Sequence, residues 1–143
     1  MRRLKVCRKL GLTPINIALM HDFVNFCADS LPITGDFIVE IVSERGEENG
    51  IRTTAAYFVG QNKVIVFGKN RALVDVLRSV AHEMTHMMQD ETGLITGPVQ
   101  DAGGFHEDQA NSKAGEIIKL FAKSTPVRKR IYESFERSNL ILG

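Results

Sequence analysis

Apolar positions along the chain follow two periods, and the switches between them predict the elements. Ile17, Met20, Val24 and Cys27 recur at helical spacing with Phe23 beside them, so a helix is expected from about Pro14 to Ser30. Thr13 can cap it, Pro14 suits its first position, and Pro32 closes it. Phe37–Val42 is rich in β-branched residues and reads as a strand, followed by the polar turn Arg45–Gly50. Thr53–Val59 reads as a second strand, Gly60-Gln61-Asn62 as a turn, and Val64–Phe67 as a third strand. Short links between the strands predict an antiparallel meander with one face buried against helices.

From Arg71 to about Glu91 the period changes to 3.6, through Leu73, Val76, Leu77, Val80, Ala81, Met84, Met87 and Met88, with Gly93 as the stop. A glycine-spaced loop from Gly93 to Phe105, with Gly97-Pro98 and Gly103-Gly104, leads to a helix over His106–Lys123. Pro126 can start a last helix through Ile131, Phe135 and Leu140. The predicted class is α+β: an N-terminal helix, a three-stranded mostly antiparallel sheet and three further helices. Residues 13–143 form a single domain, preceded by a basic arm at 1–12.

Composition agrees with this outline. At 143 residues, 43% hydrophobic and 24% charged, the chain can hold an ordinary core, which excludes collagen-like, disordered and multi-span membrane classes. It contains no apolar run long enough for a transmembrane helix or a secretory h-region. Cys7 and Cys27 are too few and too far apart for a disulfide framework or a C-x-x-C site, so a reduced, cytoplasmic setting is expected. The net charge of +1 hides a split. Arg2, Arg3, Lys5, Arg8 and Lys9 crowd the first ten residues without an acid, and the remainder is net acidic. The arm is expected to be a solvated terminus, with contact to nucleic acid as the alternative.

The central helix carries His82-Glu83-Met84-Thr85-His86, an H-E-x-x-H pattern. Residues i and i+4 share a helical face, so both imidazoles can reach one ion. Glu83, one residue off that face, can take a proton from a water whose pKa a zinc ion has lowered. The pattern overlaps the apolar stripe of Val80, Ala81 and Met84, which sets the histidines near the buried side, where unpartnered imidazoles are costly.

A catalytic zinc takes a third protein ligand. Gln89 and Thr92 stand where the metzincin extension needs glycine and histidine, so that ligand comes from further on. Asp90, Asp101, His106, Glu107 and Asp108 are the candidates. On the following helix Ala110, Ala114, Ile117, Ile118 and Phe121 mark the inward stripe, and Glu107 heads it. His106 and Asp108 lie about 100° to either side. Glu107 is therefore the expected ligand and His106 the alternative. Small Ala110 and Ala114 let the two helices approach closely, and Asn111 is placed to bond a ligand histidine or Glu107, or to be a buried, satisfied amide. His21, alone on the first helix, is expected to be a surface or core residue.

His82-Glu83-x-x-His86 followed by Glu107-x-x-Ala110-Asn111-x-x-Ala114 resembles the gluzincin class of zinc metallopeptidases, and among them the minigluzincins and ImmA/IrrE-type peptidases. The resemblance implies one Zn2+ per chain on His82, His86 and Glu107, Glu83 as general base, and a peptide or protein substrate. It implies an oxyanion-stabilising residue, for which His106, Tyr132 and Tyr57 are candidates. It also implies a sheet edge, Thr53–Val59 or Val64–Phe67, on which substrate adds as a strand. The alternatives are a zinc-stabilised binding or regulatory module without turnover, and an SprT-like, DNA-associated protease using His106. The chain's length leaves no room for a second lobe, so the cleft is expected to be shallow or completed by a partner.

Overall fold

The computed structural model describes residues 1–45, 54–95 and 104–132. Its element order is β1 (Arg2–Val6), a 3-10 turn (Arg8–Leu10), α1 (Pro14–Ser30), β2 (Phe37–Val42), β3 (Ala55–Phe58), β4 (Lys63–Phe67), α2 (Leu73–Glu91) and α3 (Phe105–Ser124). Residues 126–132 are also helical. The predicted Arg45–Gly50 turn beyond Arg45, the Gly97-Pro98 loop, Phe135 and Leu140 lie outside the described residues. No helix among the described residues is long and apolar enough to cross a membrane.

The helices form where the periodicity predicts them. Thr13 caps α1 by accepting the Asn16 N–H at 3.2 Å, and Pro14 occupies the first turn. Gly93 at φ 79° ends α2, with Leu94 N–H bonding Gln89 O and Gly93 N–H bonding Asp90 O, the paired bonds of a Schellman stop. The inward stripe of α3 is buried as expected at Ala110, Ala114, Ile117, Ile118 and Phe121. Phe121 packs edge-on against Phe23 of α1 at 5.0 Å between ring centroids. Arg128 ties the last helical segment back to α1, with Nε and Nη2 on the two carboxylate oxygens of Asp22.

The sheet corrects two expectations. It has four strands in the order β1-β2-β4-β3, and β1, β2 and β4 are mutually parallel along it, with only β3 antiparallel to β4. The three-stranded antiparallel meander is therefore replaced by a mostly parallel sheet. The reason is the link over residues 43–54, which is long enough to carry the chain past the place of β4 to the sheet edge. The tight turn through Gly60 and Asn62, both at positive φ, then returns it as a hairpin.

The second correction concerns the basic arm. Arg2–Val6 is an edge strand in register with Phe37–Ile41. Leu4 and Val6 pack on the core while Arg3 and Lys5 face outward. The Arg2 guanidinium bonds Asp29 of α1 at 2.7 Å, and the chain's amino group pairs with Asp36. Charged side chains on an exposed edge also discourage pairing with another chain.

The core lies between one face of the sheet and the helices, around Phe23, Val39, Ile41, Val64, Val66, Leu77, Val80, Met84 and Phe121. Helix α2 runs through this core, and its last turn is fixed at both sides. Glu91 accepts Thr34 N–H, Thr34 Oγ1 and Gly35 N–H, and those bonds hold its carboxyl below the usual carboxylate range. Asp90 accepts the Tyr57 hydroxyl at 2.5 Å and the Gly60 N–H at 2.9 Å, which fastens the β3 hairpin to the helix.

Candidate metal centre

Three side chains converge where α2 crosses the start of α3. His82 and His86, one turn apart on α2, present Nε2 atoms to the two oxygens of Glu107 in the first turn of α3: His82 at 3.2 Å from Oε2, His86 at 2.8 Å from Oε1. The imidazoles stand nearly perpendicular, 4.9 Å between centroids. One donor atom from each residue lies within 4.8 Å of the others, and the three form a group able to hold a metal ion. Tetrahedral zinc with two nitrogens and one oxygen at about 2.1 Å sets its donors roughly 3.4 Å apart. The observed spacing is of that order.

Hydrogen bonding behind the histidines tests the fit. Gln89 is fully buried three residues beyond His86. Its Nε2 donates to the His106 backbone carbonyl at 3.0 Å and to Gln109 Oε1 at 2.8 Å. A backbone carbonyl can only accept, so the orientation of the amide follows. Gln89 Oε1 must then be the atom facing His86 Nδ1 at 2.8 Å, and Nδ1 carries the hydrogen. The remaining nitrogen, Nε2, has its lone pair aimed at a carboxylate oxygen. Two electron-rich atoms at that separation require a cation or a proton between them, and the donor set of two imidazoles and a carboxylate suits a borderline metal. The residues present fit a metal ion.

This contact to Gln89 is the feature that the sequence reading missed. In the sequence Gln89 marks only the absence of a glycine; its value lies in a register of i+3 from His86 combined with the His106 backbone carbonyl on α3. We expect Gln89→Leu, which keeps volume but removes the acceptor, to weaken metal binding at this cluster by about 10–100-fold, the usual effect of losing such an outer contact. Competition titration against a chelator measures it. An unchanged affinity would show that the amide does not set the histidine's tautomer.

A cleft of about 800 Å³ opens over the cluster, lined by Thr54–Val59 of the β3 hairpin, by Arg71, Asp75, Arg78, Ser79, His82, Glu83 and His86, and by Glu107 and Asn111 of α3. Glu83 faces it. Burial pushes the Glu83 carboxyl up to about 7; His86 and the Tyr57 backbone N–H oppose that shift and Glu107 adds to it. Burial lowers the His82 pKa, against the attraction of Glu107 and a hydrogen bond that the imidazole makes to the Asn111 side chain. Asn111 thus reaches a ligand histidine, from an exposed position at the cleft rather than as a buried amide.

The other candidates separate clearly. Asp90 holds the hairpin and stands outside the cluster. Asp108 is exposed, and Asp101 lies outside the described residues. His106 adjoins the cluster without joining it, and its Nδ1 is buried with no partner among the described residues. Tyr57 lines the cleft with its hydroxyl on Asp90, whereas Tyr132 lies in a separate groove beside Leu120 and Lys123. His21 is an exposed surface residue. Comparison of the chain with protein-family models, with curated proteins and with solved structures found no match.

Proposed function

We propose that this protein is a zinc-dependent metallopeptidase of gluzincin type. The observation that carries the reading is the His82–His86–Glu107 cluster at the base of a cleft walled by the last strand of the sheet, with Glu83 facing the same space. Two imidazoles and a carboxylate match a catalytic zinc with one position left for a substrate or water. When bound, zinc supplies a Lewis acid that polarises the scissile carbonyl and lowers the pKa of water.

The chain's own residues do the rest. Glu83 takes the proton of the attacking water and returns it to the leaving amine. The Tyr57 backbone N–H holds its carboxylate in place. The β3 backbone offers an edge along which an extended peptide can pair. That choice follows from the strand order, since β4 is enclosed between β2 and β3. Asp90, through Tyr57 and Gly60, keeps this edge at a set distance from Glu83. Glu107 in the cluster, with His106 beside it, favours this reading over an SprT-like site.

A mixed peptide library incubated with the zinc-loaded protein tests the proposal. Cleavage is expected, with loss on chelation and recovery on zinc addition. A protein that binds one zinc per chain and cleaves no member is a binding module, and the peptidase reading then falls.

A further inference from the structure

The cleft is electrically lopsided along α2. At the C-terminal half of the helix the β3 hairpin is held by Asp90 through Tyr57 and Gly60. At the N-terminal half, Phe67 N–H bonds Thr54 O and Arg71 bonds Phe67 O, so Thr54 and Ala55 lie beside Arg71. Strand β3 therefore runs along α2 from the Arg71 end towards the Asp90 end, past the histidines.

The Arg71 end is basic. Among the described residues, the three hydrogen bonds of Arg71 go to neutral oxygens: Phe67 O at 2.7 Å, Ser79 Oγ at 2.8 Å and the Asp75 backbone carbonyl at 3.1 Å. They fix the guanidinium in the cleft wall, where the Asp75 carboxylate attracts it and Arg45 repels it. Arg78 also lines the cleft and, among the described residues, pairs with Asp75 through Nη1 to Oδ1 at 3.3 Å, with both side chains about half exposed. Such a pair is weak and leaves the remaining donors of Arg78 available. Arg45 adds a third guanidinium nearby, stacked 4.7 Å from the Phe67 ring centroid. Against these stands, among the described residues, one lining acid at this end, Asp75.

Position gives this charge a meaning. Arg78 precedes His82 by four residues, which is one turn and about 6 Å along the helix. An extended peptide on β3 advances that distance in about two residues. We propose that the cleft selects substrates bearing a carboxylate about two residues from the scissile bond, on the side of Arg71 and Arg78, with Arg78 as the specificity-determining residue. The inference rests on the peptidase reading above and names the substrate class for that site: peptides with a carboxylate, from a side chain or a chain end, at this position.

The test uses binding as well as turnover. A positional set of acetylated, amidated peptides carrying Glu, Gln or Lys is titrated against the zinc-loaded Glu83→Gln protein. At one position Glu is expected to bind about fivefold more tightly than Gln, and Lys more weakly than either, which is the range of a partly exposed charge pair. High salt should close the gap. Arg78→Glu, a change at a half-exposed site that the fold tolerates, should reverse the order of Glu and Lys. A Gln peptide with a free C-terminus separates a side-chain from a terminal carboxylate, and a preference for either supports the inference. Equal binding of all three residues at every position overturns it while leaving the peptidase reading intact, as does a preference that survives Arg78→Glu. If no peptide binds and the wild-type protein cleaves none, the peptidase reading fails and this inference falls with it.

Discussion

Glu107→Ala is expected to remove metal from the protein while leaving the fold in place. Glu107 is the shared partner of both histidines, with one oxygen to each Nε2. Without it two imidazoles remain, and they are no longer tied to α3. Loss of an outer contact alone costs about 10–100-fold in affinity, so loss of a direct ligand should exceed about 100-fold. Two measurements read this. Zinc content after dialysis should fall from one per chain towards zero. Thermal unfolding should also lose its zinc response, because a metal at about 100 times its Kd stabilises a protein by about 2.7 kcal/mol, and that increment disappears when the site is lost. The folded state should survive, since the side chain is 23% exposed and its ion-pair partners among the described residues are the histidines themselves. His106→Ala is the control and should retain zinc. The reverse pattern, with zinc lost in the histidine variant and kept in Glu107→Ala, would overturn the cluster.

Glu83→Gln is expected to retain zinc and lose turnover by about 10²–10⁴-fold, the contribution of a positioned general base. The substitution is nearly isosteric and keeps an oxygen for the Tyr57 N–H, so peptide binding should change little. Steady-state kinetics should therefore show a collapse in kcat with KM preserved, which marks an interaction made in the transition state. Zinc content measured on the same sample separates loss of the base from loss of the metal. Cleavage at the wild-type rate would remove Glu83 from the mechanism.

His82, Glu83 and His86 belong to one helix, and a helix has fixed internal geometry, so their relation follows from spacing alone. Glu107 lies on another element, yet its place at the head of the Ala110–Ala114–Ile117 stripe pointed to the face that packs on α2. Gln89 escaped because nothing local marks it. Its role depends on which backbone carbonyl of α3 lies opposite, and that is a matter of helix packing. Arg71 and Arg78 escaped similarly: on a helix diagram they are solvated charges, and only the nearness of β3 turns them into the wall of a cleft.

Strand order was the least legible feature. The β-branched runs at Phe37–Val42 and Val64–Phe67 located two strands well, and the hairpin turn at Gly60–Asn62 joined the right pair. Which strands neighbour one another depends on non-local hydrogen bonds, and residues 43–54 permit either a meander or a passage to the edge. At the N-terminus, five bases in ten residues obscured a short alternation, Arg3-Leu4-Lys5-Val6, whose period of two is that of an edge strand.

The sequence by itself determined the helices, the shared face of His82 and His86 on α2 and the inward face of α3, because these follow from periodicities within single segments. The tertiary structure decided the parallel sheet, the choice of β3 as the cleft's edge, the tautomer of His86 and the charge along the cleft. Each of these depends on groups far apart in the chain, whose interactions exist only once the core has brought the elements together.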